Sequence, residues 1–224
     1  MTITPTTLTR AAGGAAVAAG LIFIGVQINH PHLDIASITT TEVVLRNSLK
    51  VLMAALALAG ITGMYLSQVR RNGVLGLIGY LVLSVGYLSI MSTTAIAAYV
   101  LPAIADTNAG YVNDIIALFT GHKATGDLGG LQTVWQVQGF AYLAGGLLFG
   151  IALYRARVLA RWATALLAVG GVVSVALAVM PDAFYRLLAF PNGIAMIGLG
   201  YSLWRTARST TPQAAGQPVT VHAS

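Results

Sequence analysis

Histidine and carboxylate side chains crowd into one short segment near the start of the chain. In QINHPHLD, residues 27–34, His30, His32 and Asp34 occupy alternate positions directly after an apolar run. Two imidazoles and a carboxylate can hold zinc, and His122 from a later loop could add a ligand. The intervening proline favours an extended chain leaving a helix, whereas soluble metallo-hydrolases carry this motif on a sheet. We therefore favour histidines that face water and headgroups, and we assign no metal and no cofactor.

A second polar group stands at the start of the next apolar run. Glu42, Arg46 and Lys50 are spaced four residues apart, so on a helix they form one stripe and the first two can form an ion pair. Counting about 1.5 Å per residue from Arg70 places Lys50 about 30 Å away, at the edge of the hydrocarbon layer. The stripe is predicted to lie near the membrane surface.

Two kinds of chemistry suit these residues. Some membrane-embedded terpene cyclases protonate an alkene or epoxide with carboxyl groups at the rim of a helical bundle, and Glu42, Asp34 and Asp182 are the candidate catalytic acids here. The basic residues could instead bind a lipid phosphate or an acidic headgroup. The candidate ligand-binding residues are His30, Arg46, Lys50, Gln136, Gln138, Arg186 and Asn192. Whether the chain is an enzyme stays open on these residues alone.

The composition indicates a membrane protein. Of the 224 residues, 57% are hydrophobic and 8% charged, the latter about a third of the share in soluble domains. The chain has no cysteine, which excludes disulfides, thiolate nucleophiles and cysteine metal sites. The net charge of +6 is spread thinly beside apolar runs, so a nucleic-acid partner is excluded. No run has an interior histidine for haem, and the last has no lysine for retinal.

Six apolar stretches are long enough to span a bilayer as helices, which takes about 20 residues. They lie at about 11–30, 48–69, 73–101, 134–154, 160–180 and 186–205. We therefore predict an all-α polytopic membrane bundle with six transmembrane helices. The even-numbered stretches end in GMYLSQVR, GIALYRAR and GYSLWRTA, each with Gly three residues before Leu. This favours a helical hairpin repeated three times, although Gly, Ala and Leu also recur in unrelated spans by composition alone.

The basic residues predict the orientation of the spans. With a cytoplasmic N-terminus, eight of the twelve basic residues lie inside: Arg10, Arg70, Arg71, Arg155, Arg157, Arg161, Arg205 and Arg208. Because positive charge concentrates on the cytoplasmic side, both termini are predicted to be cytoplasmic. The first run lacks a small-residue cleavage site, so we expect a retained anchor. Residues 206–224 are predicted to be a disordered tail.

Three local patterns add detail. Residues 109–120 place Tyr111, Ile115 and Phe119 on one face, which predicts a short amphipathic helix on the outer surface. The GHKATGDLGG stretch after it is expected to be a flexible surface loop that could serve as a lid. FPNG, residues 190–193, favours a kink or break within the last span.

Four segments carry a resemblance to known proteins: QINHPHLD, TTTEVVLRNSLKVLMAALALAGITGMYL, LQTVWQVQGFAYLAGGLLFGIALYRARVLARWA and GLGYSLWR. Through them the chain resembles uncharacterised multi-pass membrane proteins of actinobacterial type, over nearly all of residues 10–208. The resemblance implies a bacterial plasma membrane. It implies no activity and no catalytic residue.

These patterns lead to one functional expectation and two alternatives. We expect an integral membrane protein whose outward-facing polar pocket binds or processes a lipid-like or isoprenoid small molecule. The first alternative is a non-enzymatic partner or assembly subunit, which would dock another membrane protein or a second copy of itself through small-residue helix faces. The second is a terpene-cyclase-like enzyme that uses rim carboxyls.

Overall fold

The protein is built from helices joined by turns. The computed structural model describes residues 3–29, 31–178 and 189–209, and no strand occurs within these ranges. The helices are α1 (Pro5–Gly25), α2 (Thr41–Leu66), α3 (Val69–Ala95), α4 (Leu101–Ile104), α5 (Ala109–Phe119), α6 (Gly130–Ala156), α7 (Arg161–Ala178) and α8 (Ala189–Ser209), with a π-helical turn at Ile96–Val100. The all-α class is thereby confirmed.

Among the described residues, four stretches of helix are long and apolar enough to cross a membrane. They are α1, α2, the continuous segment Val69–Ile104 that includes α3 and α4, and α6. This confirms a membrane protein with several spans. Helices α7 and α8 occupy the positions predicted for a fifth and a sixth span.

The six long helices form a closed ring. Helix α1 packs against α2 and α8, and the pairs α2–α3, α3–α6, α6–α7 and α7–α8 complete the circuit. On α1 and α8, Gly13 faces Gly200 and Gly20 faces Gly193, so these helices are antiparallel. The α2–α3 and α6–α7 turns lie at one end, which we call the arginine end. The α1–α2 connection, α4 and α5 lie at the other, which we call the α5 end.

Glycines bring neighbouring helix backbones into contact. A Cβ atom on Gly13 would lie 2.7 Å from the Gly200 carbonyl oxygen, and one on Gly86 would lie 2.8 Å from the Tyr142 nitrogen. Gly13 and Gly20 are seven residues apart, as are Gly193 and Gly200, a spacing that suits a shallow left-handed crossing. Because burial from water does not drive association between helices in lipid, such close approach is a main source of cohesion.

An apolar core of the protein lies at the α5 end. It is formed by Ile38, Val43, Leu101, Val112 and Ile115, all buried. The apolar face of α5 therefore packs against the protein itself. Tyr111, which we expected on that face, is exposed, because the buried stripe is set one residue later and begins at Val112.

Two proline-containing segments behave differently. Pro102 cannot donate to the Ala98 carbonyl and its ring crowds that group, and the π-helical turn Ile96–Val100 stands directly before it. By contrast, α8 continues without interruption through residues 190–193. The break that FPNG favoured is therefore absent from the described part of α8. Helix α8 runs to Ser209, and the rest of the predicted tail lies outside the described residues.

Candidate functional site

The predicted ion pair between Glu42 and Arg46 is confirmed. Helix α2 begins after Thr40, whose hydroxyl oxygen accepts a hydrogen bond from the Val43 N–H at 3.4 Å. Glu42 lies in the first turn, where a carboxylate is favoured by the helix dipole. One turn later, the Arg46 Nε and Nη2 atoms lie 3.0 and 2.9 Å from Glu42 Oε1.

Arg46 also binds the end of α1. Its Nη1 donates to the carbonyl oxygens of Val26 at 3.0 Å and Ile28 at 2.9 Å. Carbonyls that follow the last turn of a helix lack partners within it, and a cation there is favoured by the dipole. The Arg46 side chain is only 18% exposed. It therefore fastens the end of α1 to the start of α2.

A groove lies beside this pair, between α1 and α2. It encloses about 320 Å³ and is lined by Ile22, Gly25, Val26, Glu42, Leu45, Arg46 and Leu49. Its walls are aliphatic, and the ion pair forms its polar rim. Both Arg46 contacts reach the same carboxylate oxygen, so Glu42 Oε2 keeps its capacity to accept a hydrogen bond.

Asp34 organises a turn of its own. Its Oδ1 accepts the Ser37 N–H at 2.7 Å, while the Ser37 hydroxyl accepts the Asp34 N–H at 2.9 Å and donates to the His32 carbonyl at 2.8 Å. These bonds from Ser37 lower the pKa of the Asp34 carboxyl below its usual value of 3.8. Asp34 is therefore ionised at neutral pH, which makes it a poor proton donor.

The structure describes two of the candidate histidines, His32 and His122. His32 is exposed, and the Nδ1 atom of His122 lies 3.0 Å from the Thr120 hydroxyl, just beyond the end of α5. His30 lies outside the described residues. In the part of the chain that the structure describes, no three His, Asp or Glu side chains lie close enough together to hold a metal ion.

Two of the three remaining amide candidates, Gln138 and Asn192, lie in different helix seams. The Thr93 hydroxyl of α3 donates to Gln138 Oε1 of α6 at 2.7 Å, while Gln136 is exposed. Asn192 of α8 is buried beside Gly170 of α7, where a Cβ atom would collide with its amide. Gln138 and Asn192 serve helix contacts, and none of the three amides lines the α1–α2 groove.

Of the charged candidates that the structure describes, Glu42 and Arg46 line that groove. Lys50 is half-buried one turn deeper on α2. Asp182 and Arg186 lie outside the described residues, so their predicted roles stay predictions. Sequence reasoning did not identify the groove walls Ile22, Leu45 and Leu49, because aliphatic side chains that line a groove look the same in sequence as those that face lipid.

The loop predicted as a lid is tied to α5. Asp114 Oδ1 accepts from the Thr125 N–H at 2.7 Å and the Thr125 hydroxyl at 2.8 Å, and Oδ2 accepts from the Gly126 N–H at 3.2 Å. These bonds lower the pKa of the Asp114 carboxyl below 3.8. Gly121, with φ of 80°, ends α5, and the His122 N–H closes the turn on the Ala117 carbonyl at 2.8 Å.

Two buried amides at the arginine end were also missed. Gln68 lies in the turn between α2 and α3, Asn72 lies in the first turn of α3, and both are buried. Their side-chain nitrogens donate to the carbonyls of Met64 and Tyr65, but Gln68 Oε1 and Asn72 Oδ1 have no partner among the described residues. Arg70 and Arg71 lie between them in sequence and favour a solvent-exposed turn. The sequence therefore did not predict that the two amides are buried.

No family model matches the chain, and no curated protein or solved structure matches it either. The resemblance to actinobacterial multi-pass proteins therefore stays a prediction.

Proposed function

We propose that the protein is a six-span protein of the bacterial plasma membrane that binds a lipid-like or isoprenoid molecule in the α1–α2 groove. The observation that carries this is the combination of aliphatic walls with one ion pair at the rim. At about 320 Å³ the groove lies at the lower end of the range for small-molecule sites. With the arginine end in the cytoplasm, it opens toward the outer leaflet.

The rim chemistry favours a neutral head over an anionic one. Arg46 already uses Nε, Nη1 and Nη2 on Glu42 and on two carbonyls, and its charge is balanced by the carboxylate. These contacts use four of the five guanidinium N–H groups, which leaves one Nη2 hydrogen and the acceptor Glu42 Oε2. A hydroxyl-bearing lipid or isoprenoid alcohol can donate to it, whereas a phosphate would meet a negative charge.

The same geometry gives less support to the two alternatives. A terpene-cyclase-like reaction needs a protonated carboxyl, and the Ser37 bonds keep Asp34 ionised. A subunit that docks through small-residue faces needs those faces free. Gly13, Gly20, Gly79 and Gly86 are instead in contact with helices of the same chain. Ligand binding is therefore the function that we propose.

The test is to fill the groove and examine the co-purified lipids. Leu45→Trp places a large ring in the groove, while Leu52→Trp is the matched control, since Leu52 lies on the same helix, is similarly exposed (48% against 58%) and does not line the groove. Each variant is purified in mild detergent, and its bound lipids are extracted and quantified by mass spectrometry.

We expect a hydroxyl-bearing lipid-like species to accompany the unaltered chain and the Leu52→Trp variant in near-equal amounts. Leu45→Trp should reduce it about tenfold, a loss of roughly 1.4 kcal/mol in binding, and Glu42→Gln should reduce it less. Equal retention by both tryptophan variants would overturn the proposal, as would the absence of any such species from the unaltered chain.

A further inference from the structure

A second groove lies at the arginine end, between α7 and α8. It encloses about 420 Å³, and its lining includes Trp162 from α7 and Gly198, Tyr201, Ser202 and Arg205 from α8. None of these residues belongs to the α1–α2 groove. The two grooves are therefore separate places on the molecule.

Two local contacts fix the positions of residues that line this groove. The Trp162 ring lies over Gly198, where a Cβ atom would collide with it, so the indole is held beside α8. The Ser202 hydroxyl oxygen accepts the Ala160 N–H at 2.9 Å, which fixes the turn before α7. The Ser202 hydroxyl thus accepts from the chain while its own proton can be donated into the groove.

Exposed aromatic rings flank a guanidinium here. Trp162 is 58% exposed and Tyr201 is 55% exposed. The Arg205 guanidinium carbon lies 5.8 Å from the centre of the Tyr201 ring, within cation–π range. Exposed Trp and Tyr at the ends of membrane helices are typical of the level of the lipid headgroups. The groove therefore lies where a headgroup and the first part of an acyl chain would be found.

The charge around the groove has one sign. The described basic residues at this end are Arg10, Arg70, Arg71, Arg155, Arg157, Arg161 and Arg205. The described acids, Asp34, Glu42, Asp106, Asp114 and Asp127, all belong to the α5 end. Within the described ranges, the α7–α8 groove thus lies at the end that carries these cations and no carboxylate, and Arg205 is the cation that lines it. This field complements an anionic headgroup and disfavours a cationic one.

We propose that the α7–α8 groove binds an anionic phospholipid. The phosphate lies at Arg205, whose planar guanidinium suits bidentate contact with phosphate oxygens. The Ser202 hydroxyl donates to the same head, and the upper acyl chain lies between the rings of Trp162 and Tyr201. This site differs from the proposed α1–α2 groove in its location and in the charge of its ligand.

The test compares two arginine variants by native mass spectrometry. The protein is titrated in neutral detergent with phosphatidylglycerol or phosphatidylcholine of identical chains. Arg205→Gln removes the groove cation. Arg71→Gln is the control, since it makes the same charge change on an exposed residue of α3 at the same end, away from α7 and α8. Arg205→Lys keeps the charge without the bidentate geometry.

We expect the unaltered chain to retain phosphatidylglycerol about tenfold more tightly than phosphatidylcholine, and Arg205→Gln to remove most of this preference. Arg71→Gln should leave it nearly unchanged, and Arg205→Lys should give an intermediate result. Equal losses for Arg205→Gln and Arg71→Gln would overturn the site in favour of a diffuse charge effect. Displacement of the lipid by glycerol 3-phosphate at matched concentration would also overturn it, because the ligand would then be a soluble phosphate.

Discussion

A single guanidinium, that of Arg46, joins two helices at the α5 end. It pairs with Glu42 on its own helix and caps two carbonyls at the end of α1. The pair with Glu42 is the weaker part, because Glu42 is largely exposed and such pairs contribute about 0.2–1 kcal/mol. The carbonyl contacts matter more, since hydrogen bonds that involve a charged group are worth about 1.5–3 kcal/mol.

Arg46→Met is therefore expected to destabilise the protein by about 1–3 kcal/mol, because the Val26 and Ile28 carbonyls lose their donor. The measurement is the melting temperature in detergent, followed by circular dichroism. Glu42→Gln should have a smaller effect. A drop for Glu42→Gln as large as that for Arg46→Met would contradict this account and assign the stabilisation to the ion pair.

Asp114 is expected to protect the loop after α5 from cleavage by proteases. Asp114→Ala removes the acceptor of the Thr125 and Gly126 N–H groups, so the loop opens more often. Trypsin should then cleave after the exposed Lys123 about threefold faster or more. Asp106→Ala, another carboxylate at the same end, is the control. Unchanged cleavage in Asp114→Ala would show that other contacts hold the loop.

The same carboxylate gives the loop a pH dependence. Its pKa in the folded chain is below 3.8, so the folded state binds the proton more weakly than the unfolded state does. The anchor is thus fully present above about pH 4 and is lost as the pH falls through the folded pKa. By nuclear magnetic resonance in micelles, the Thr125 and Gly126 amide signals should change together with this titration. If the two amide signals change independently of the Asp114 titration, Asp114 does not anchor the loop.

Contacts between residues that are near in sequence could be predicted, and contacts between distant residues could not. The Glu42–Arg46 pair follows from a spacing of four on a helix. The bonds from Arg46 to Val26 and Ile28 join residues 20 and 18 positions apart. Nothing in the local pattern specifies them, because they depend on how α1 and α2 meet.

At the scale of the helix, the seam between α1 and α8 depends on glycine. Gly13 touches the backbone of α8, whereas the adjacent Gly14 has no atom within 4 Å of a Cβ position. Both are interior residues of α1, so they share the same helix propensity. The same substitution made at Gly13 and at Gly14 therefore separates the effect of helix packing from that of backbone freedom.

Gly13→Val is expected to cost about 1–3 kcal/mol, because the new side chain forces α1 away from Gly200 and Trp204. Gly14→Val should be neutral or slightly stabilising, since glycine is a weak helix former. Melting temperatures in the same detergent provide the comparison. If both valine variants melt alike, the α1–α8 seam is not held by close backbone contact.

The sequence indicated that small residues bring helices together, but it did not indicate which helices. Glycines occur in every long helix, so their presence does not identify a partner. The partner follows from ring closure, which sets the first helix beside the last one. The α5 face shows the same limit: its helical period was visible, but the buried stripe was fixed by the core formed by Ile38, Val43 and Leu101.

At the scale of the whole molecule, antiparallel helices in a ring place the described turns at two ends of opposite character. The arginine end has short turns and basic residues, and the α5 end has the longer connections and the described acids. Hydropathy and charge were enough to predict this division. They could not predict the two grooves, which depend on gaps between particular side chains.

The orientation of these two ends can be tested directly, because the natural chain has no cysteine. Single cysteines are placed at Thr39 and Thr125 for the α5 end, and at Ser67 and Arg157 for the arginine end, all of them exposed or part-exposed positions. Positive charge at the arginine end predicts that it is cytoplasmic. A membrane-impermeant maleimide should therefore label the first two in intact cells, and the other two only after lysis.

A cysteine after Ser224 should behave like those at the arginine end if α7 and α8 both cross the membrane. Labelling of that terminal cysteine in intact cells would contradict six spans, and a reversed pattern throughout would invert the proposed access of both grooves to their leaflets.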